Sequence, residues 1–342
     1  MNKRLAAIAV AVAAIAAAAG LLASTSSGAA KAQQTIGLIE PGPGSTTAPE
    51  EESGAQAAAS ALGYQLAITS TDDASAQIDT IQSLIAEHAA AIMITSDSGA
   101  GAIDAVLPAL AQARKAGIPT LSLEQQYPGS VWVNPSSPTQ LADALADSLA
   151  SQMKQRGRFV IVPCTGALPI VGIWLKDIKF YARRHYPHMR RVGVVYGGTG
   201  NGPAGTLKLR PVLKKYPHLR GLIFLCPSES YTVPPQIVHA HKVGKIFSAG
   251  IGGDCPPLYI VYANSVRAGS AEMVCPGNYT NLGYLAIWAA DHLARSNTLT
   301  LTPGNYDVGG PVGTVQYYDH NQELRLGQPL TITKANVDQY TG

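Results

Sequence analysis

Residues 39–56 read IEPGPGSTTAPEEESGAQ, a glycine-bearing loop between a short apolar run and an alanine-rich segment. Strand, glycine loop and helix together make the usual seat of a nucleotide's phosphates, because free N–H groups at the helix start point at an anion. The residue types here oppose that chemistry. Gly42 and Gly44 are present, but Thr47 stands where a G-x-G-x-x-G fingerprint needs its third small residue. Pro43 and Pro49 have no N–H to offer. Glu50, Glu51 and Glu52 place three carboxylates at the helix start, where they satisfy its dipole and repel phosphate. No lysine of the Walker kind follows.

Other reactive side chains are equally unsuited to catalysis. Ser96-Asp97-Ser98 lacks the G-x-S-x-G elbow of a nucleophilic serine. His239 and His241 are two apart, which on a helix points them to different faces. His185, His188 and His218 stand beside Tyr-Pro turns, as surface residues do. The four cysteines, Cys164, Cys226, Cys255 and Cys275, show no C-x-x-C spacing for zinc and allow three disulfide connectivities. What recurs is polar or small residues directly after apolar runs: Pro41–Ser45, Ser96–Ser98, Glu124–Gln125, Cys164–Thr165, Pro227–Glu229 and Gly250–Gly253. Open parallel sheets bind ligands outside the carboxyl ends of their strands. Two such rims facing one cleft would close on a ligand by hinge motion.

The elements that must carry these rims are legible as alternating runs. TIGLIE, YQLAITS, AIMITS, TLSLEQ and VWVN read as strands, with helices near Gly54–Leu62, Ala76–His88 and Ala102–Lys115 between them. Ile78, Ile81 and Ile85 mark one helix face, and Leu141, Leu145, Leu149 and Met153 another. The cycle restarts with RFVIVPC, a helix to Arg184, RVGVVYG, a helix to Lys215, GLIFLC, a helix near Gln236–His241, KIFSAG, AEMVC and a helix over Leu282–Ala294. Continuous apolar strands between helices mean parallel strands buried on both faces, and two series mean two Rossmann-like α/β lobes. The break falls near Val133–Pro138. After Leu301 the chain is rich in Gly, Pro and polar residues, which suits crossings between lobes and short surface strands.

The first residues read as an address, not a fold. MNKR precedes an Ala/Val/Ile/Leu run over Leu5–Leu22, and Ala30-Lys31-Ala32 is an A-x-A cleavage site. The expectation is export with a cleaved signal peptide over residues 1–32, the rival being an uncleaved membrane anchor. A lipoprotein would need a cysteine after LLAS, where Thr25 stands. The whole chain has 25 Lys and Arg against 22 Asp and Glu, and residues 1–32 hold three of the basic ones and none of the acidic. The remainder is formally neutral, so no nucleic-acid partner is expected. Its length suggests two domains of ~150 residues.

At this point the chain resembles the type I periplasmic solute-binding proteins of sugar ABC importers, in their rhamnose-binding and furanosyl-autoinducer-binding branch. The segments carrying the resemblance are TIGLIEPG with GAQAAASALGYQL, then AQIDTIQSLIAEHAAAIMITSDSGAGAIDAVLPALAQARKAGIPTLSLEQQ, NYTNLGYLAIWAADHL and LTITKANVDQY. The resemblance implies two lobes joined by a three-segment hinge with the ligand cleft between them, no catalysis and no cofactor. The expected boundaries are 35–134 with 276–315 for the N-terminal lobe, and 137–274 with 318–342 for the C-terminal lobe. A monomer delivering a carbohydrate-like ligand to a membrane permease, in the periplasm or outside the cell, is implied.

The resemblance also assigns site residues. Glu124 stands where the family has an acidic residue chelating sugar hydroxyls, and charge-assisted bonds are the stronger kind. As a bare residue Glu124 could instead cap a turn. Gln125 stands at a second polar position, and Asn278 where an amide or acid reaches the ligand from the hinge, or caps the following helix. Pro41 replaces a lysine of the autoinducer branch; Ser45, Thr165, Ser228 and Glu229 line the rims. Leu168, Ile170 and Val171 stand where relatives place polar contacts, and Ile251 and Gly252 where an acid is usual. A deoxysugar or partly apolar ligand is therefore expected, with stacking from Tyr127, Trp174, Tyr231 or Tyr279. In the usual strand order Cys164 and Cys226 lie on neighbouring strands and Cys255 and Cys275 on the next pair, so one or both pairs form disulfides. The alternative function keeps the fold but presents the ligand to a chemoreceptor or kinase as a sensor. An exported hydrolase lacks its motifs here, and a sugar-responsive repressor would begin with a helix-turn-helix.

Overall fold

The computed structural model describes residues 33–42, 45, 47–95, 100–164, 169–197, 207–252 and 260–341. The expected signal segment 1–32, Ser96–Ser98, Thr165, Leu168 and Cys255 lie outside the described residues. Thr35–Gly342 forms one compact unit by itself.

The apolar runs become strands as their patterning requires. Along β1 (Thr35–Glu40), Ile36 and Leu38 pack into one cluster while Ile39 packs into another on the opposite side. β3 (Ala91–Ile94) repeats this, with Ala91 and Met93 on the first side and Ile92 and Ile94 on the second. Alternation with period two buries both faces, and each large aliphatic side chain so buried contributes ~1.5–3 kcal/mol. With β2 (Gln65–Ser70), β4 (Thr120–Leu123) and β5 (Val131–Ser136) these form the parallel part of an eight-stranded sheet. One face carries α1 (Ala48–Leu62); the other carries α2 (Ala74–Ala86) and α3 (Ala100–Lys115).

The second sheet has six strands. β6 (Gly157–Val162) lies between β7 (Met189–Val194) and β8 (Leu219–Phe224), and β9 (Phe247–Ile251) and β10 (Glu272–Cys275) extend it in parallel. Phe159 and Ile161 face α4 (Pro138–Met153) and α5 (Pro169–His185). Val160 and Val162 face α6 (Leu209–Lys215) and α7 (Pro227–His239). α8 (Ile260–Arg267) packs with β10 in a smaller cluster.

The helix α9 (Tyr279–Ser296) returns the chain to the first sheet. It lies against α1 through two glycines. A Cβ on Gly54 would strike the Thr280 carbonyl, and one on Gly283 the Glu51 carbonyl, so only glycine permits this approach. Asn278 caps α9 by accepting from the Asn281 N–H at 2.8 Å, and Asp73 caps α2 by accepting from Ala76 at 2.8 Å.

Two sequence expectations are corrected here. Strands β11 (Gly304–Gly309), β12 (Gly313–Tyr318) and β13 (Glu323–Gly327) all join the first sheet, β13 pairing in parallel with β5. The segment expected to belong to the C-terminal lobe from residue 318 thus reaches the second sheet only at β14 (Leu330–Ile332), antiparallel to β10. β13 gave no apolar run because it buries Glu323, whose carboxylate is met by Asn134 at 2.7 Å, Asn321 at 2.9 Å and Arg325 at 2.8 Å. Burial would raise this carboxyl, but those hydrogen bonds hold it below its ordinary value. Second, the helix expected near Gln236–His241 starts at Pro227, and Pro234 and Pro235 lie inside it. The prolines read as breakers because neither has an N–H for the carbonyl four residues before it, yet the helix continues through both to His239.

The chain passes between sheets three times: after β5, after β10 and after β13. These passages meet. A Cβ on Gly277 would lie 3.0 Å from Pro135 and 3.5 Å from Leu326, one residue from each passage. The fold is therefore two Rossmann-like lobes on a three-segment hinge.

Candidate functional site

Glu124 follows β4 with a left-handed backbone, φ 57°. That conformation costs a non-glycine residue ~1–2 kcal/mol, and it persists only where neighbours impose it. β5 does so here: the Glu124 N–H donates to the Val133 carbonyl at 3.1 Å, and the Trp132 indole N–H donates to the Glu124 carbonyl at 2.9 Å. Trp132 is itself buried, its ring packed in the cluster of α4 and α5 beneath the other sheet. The consequence is a half-buried carboxylate aimed by its backbone.

Two hydroxyls meet that carboxylate. Thr47, at the start of α1, donates to Oε1 at 3.3 Å, and Tyr279, the first residue of α9, donates to Oε2 at 3.1 Å. Three separated segments thus converge on Glu124: the opening loop, the end of β4 and the hinge exit before α9. Ser45 belongs to the same group, 3.4 Å from the Thr47 hydroxyl and accepting from the Ala48 N–H at 3.4 Å. Asn278 precedes Tyr279 and the buried Gln125 follows Glu124 in the chain; Pro41, also buried, lies four residues before Ser45. A carboxylate among hydroxyls is an acceptor for O–H groups; no metal-holding cluster occurs among the described residues.

The opposite rim carries Ser228 and Glu229 in the first turn of α7, not in a loop. Both are buried, and Ser228 donates to Glu229 Oε2 at 2.7 Å. Glu229 fills the space a Cβ would need at Gly197, so the chain just after β7 lies directly against it. Cys226, just before α7, is bonded to Cys164 at the end of β6, which ties two rim loops of this lobe. Cys275 is also in a disulfide; Cys255, its expected partner, lies outside the described residues.

Two of the rings expected to stack on a ligand are engaged elsewhere. Tyr127 is 1% exposed and packs against Ile39, Ile94 and Ile103, so its ring is core, not a stacking platform. Tyr231 stacks on Tyr262 with centroids 3.5 Å apart, which occupies that face. Ile170, Val171 and Ile251 are buried in the α4–α5 cluster. Trp174 is half-buried beside that cluster, and its buried indole N–H has no hydrogen-bond partner among the described residues. His239 and His241 are exposed.

Thr47, Glu40 and the Tyr279 hydroxyl were missed. In sequence Thr47 reads only as a mismatch to a glycine fingerprint, and Tyr279 only as a ring. Glu40 ends an apolar run and so reads as strand. It is 5% exposed, accepts from Ser70 at 2.8 Å and has its second oxygen, Oε2, buried without a partner among the described residues. Burial pushes its carboxyl up; the Ser70 bond counters and the Glu52 charge adds. A glutamate immediately before a rim proline was the available signal.

Residues 36–298 match the model of the periplasmic binding protein domain, and the chain belongs to that family. It is a family of ligand-binding proteins, not of enzymes. Among solved structures, the chain is similar to a sugar ABC transporter protein from Actinomyces odontolyticus, with 20% identity, a TM-score of 0.74 and coverage of 90% of this chain and 98% of that one. A solute-binding protein from Clostridium phytofermentas with bound L-rhamnose gives 19%, 0.71, 90% and 98%. One from Agrobacterium radiobacter in complex with D-arabinose gives 17%, 0.70, 91% and 100%. These likenesses establish the shared fold.

Proposed function

We propose that the chain is an extracytoplasmic substrate-binding protein that delivers a small sugar or sugar-like ligand to an ABC importer, closing its lobes on the ligand as a monomer. The observation that carries this is Glu124, a carboxylate held in a strained backbone where three rim segments meet. Sugar hydroxyls donating to it would add to, or replace, those of Thr47 and Tyr279. Glu40 and the Ser228–Glu229 pair supply further acceptors on either rim. A deoxysugar is favoured: the similar structure with L-rhamnose supports it, as does a second rim whose polar pair already satisfies part of its own bonding. Export rests on the leader-like residues 1–32 with their A-x-A site, and Thr25 in place of a lipid-accepting cysteine.

A melting-temperature screen against monosaccharides, deoxysugars and amino acids tests this. Ligand at 100 times Kd stabilises by ~2.7 kcal/mol, a shift of several degrees. The expected result is a shift with a deoxysugar or other monosaccharide that Glu124→Ala abolishes. A shift with amino acids alone would overturn it.

A further inference from the structure

Formal neutrality hides a division of charge. Residues 137–275, the second lobe, carry 17 Lys and Arg against 6 Asp and Glu. Residues 33–136 with 276–327, the first lobe, carry 4 against 15. The halves therefore differ strongly in potential, and an anionic surface attracts one and repels the other.

The positive charge has a defined place. β7 is the open edge of the second sheet, and α5 packs beside it. On α5, Ile173, Lys176, Phe180 and Arg183 recur at helical spacing and all are exposed, with Lys179 and Arg184 flanking them. Phe180 is 56% exposed and Ile173 44%. The Arg183 guanidinium lies 6.0 Å from the centroid of the Phe180 ring. Arg190 and Arg191 open β7 and are exposed. The acids nearby have partners of their own: Asp177 accepts from Thr139 at 2.9 Å, and Asp147 from Tyr181 and Tyr186. Asp143 lies with them between α4 and α5. Charges on an open strand also discourage edge-to-edge pairing, which accounts for Arg190 and Arg191. It does not account for the cations of α5 or for two large apolar side chains set among them.

We infer that the outer face of α5 with the start of β7 is a docking surface for an anionic phospholipid bilayer. Cations draw the lobe to the headgroups, and Phe180 and Ile173 enter the interface between them, as on basic amphipathic helices that lie on membranes. The acidic first lobe is repelled, so the protein lies on the bilayer in one orientation. This surface is separate from the ligand rims, and its test does not depend on the ligand.

The experiment is co-sedimentation of residues 33–342, the self-contained unit without the apolar leader, with vesicles of phosphatidylglycerol and phosphatidylcholine or of phosphatidylcholine alone. The expected result is at least ~10-fold tighter binding to the anionic vesicles, lost near ~0.5 M salt. Arg183→Glu with Arg184→Glu weakens it ~10-fold or more, Phe180→Ser weakens it several-fold, and Glu87→Lys on the acidic lobe does not weaken it. Melting temperatures are compared throughout; if the Arg pair lowers it, Lys176→Glu with Lys179→Glu replaces that variant. Equal binding to both vesicles overturns the inference, as does a well-folded charge-reversed variant that binds like the parent. Binding to soluble polyphosphate with no sedimentation on anionic vesicles would overturn it too, in favour of a polyanion site.

Discussion

The Tyr279 hydroxyl donates to Glu124 Oε2 at 3.1 Å, joining the residue that follows β4 to the residue that begins α9. One lies within the first lobe and the other where the chain re-enters it, so this bond couples the rim to a passage between the sheets. Tyr279→Phe keeps the buried ring and removes the donor. We expect the fold to stay within ~1 kcal/mol of the parent and sugar affinity to fall ~5–10-fold, because the carboxylate loses its aim. Isothermal titration against the sugar identified by the melting screen checks this; unchanged affinity would show that the hydroxyl is only structural.

Cys164 and Cys226 close a sequence separation of 62 between neighbouring strands β6 and β8. Loop-closure entropy for that length is ~4 kcal/mol at 25 °C. Replacing both with serine is expected to lower the melting temperature by several degrees and to loosen the start of α7, while leaving the first lobe unchanged. Hydrogen exchange on the double variant separates the lobes. Uniform loss of protection in both would contradict this local role.

The contact of α1 with α9 tolerates no side chain at Gly283, since the obstacle is the Glu51 backbone. Gly283→Val should destabilise by about 3 kcal/mol or prevent accumulation of folded protein. Gly101, where an added Cβ meets nothing within 4 Å, is the matched control, and Gly101→Ala should be neutral or slightly stabilising. Denaturant midpoints of the two variants test the pair.

Asp143 is pushed up to about 6, first by burial and then by Asp147 and Asp177, with His185 pulling the other way. Its folded value lies above its ordinary 3.8, so the native state holds the proton more tightly than the unfolded chain. The stability this adds is present at low pH and is lost as pH rises through about 6. Asp143→Asn should therefore match the parent near pH 4 and exceed it above pH 6 by ~1 kcal/mol, after allowance for solvent screening. Melting curves across that range decide it, and a variant that gains stability only at low pH would reverse the sign.

Much of the architecture was legible because parallel strands buried on both faces must be apolar throughout: Ile36, Leu38 and Ile39 announce β1 with no knowledge of their neighbours. What escaped was set by distant partners. β13 holds a buried glutamate that is tolerable only beside Asn134, Asn321 and Arg325. α7 runs through two prolines that locally read as a stop. At the rim, Glu124 was visible as a carboxylate after a strand, but its left-handed backbone depends on Trp132 and Val133, reached only when β4 and β5 pair. Tyr127 failed because an aromatic near a rim looks the same in sequence whether it turns outward or into the core.

The meeting of all three passages around Gly277 has a practical use. Ser136 pairs with Gly327 at the end of β5 and β13, so two exits leave the first sheet level with each other, and the third crosses them at Gly277. With its links gathered at one place, the closure proposed above would turn about a point with little freedom to slide. One distance across the mouth then reports the whole motion. A donor dye on one rim and an acceptor on the other would make the protein a single-coordinate optical gauge of its own ligand, read without labelling the ligand.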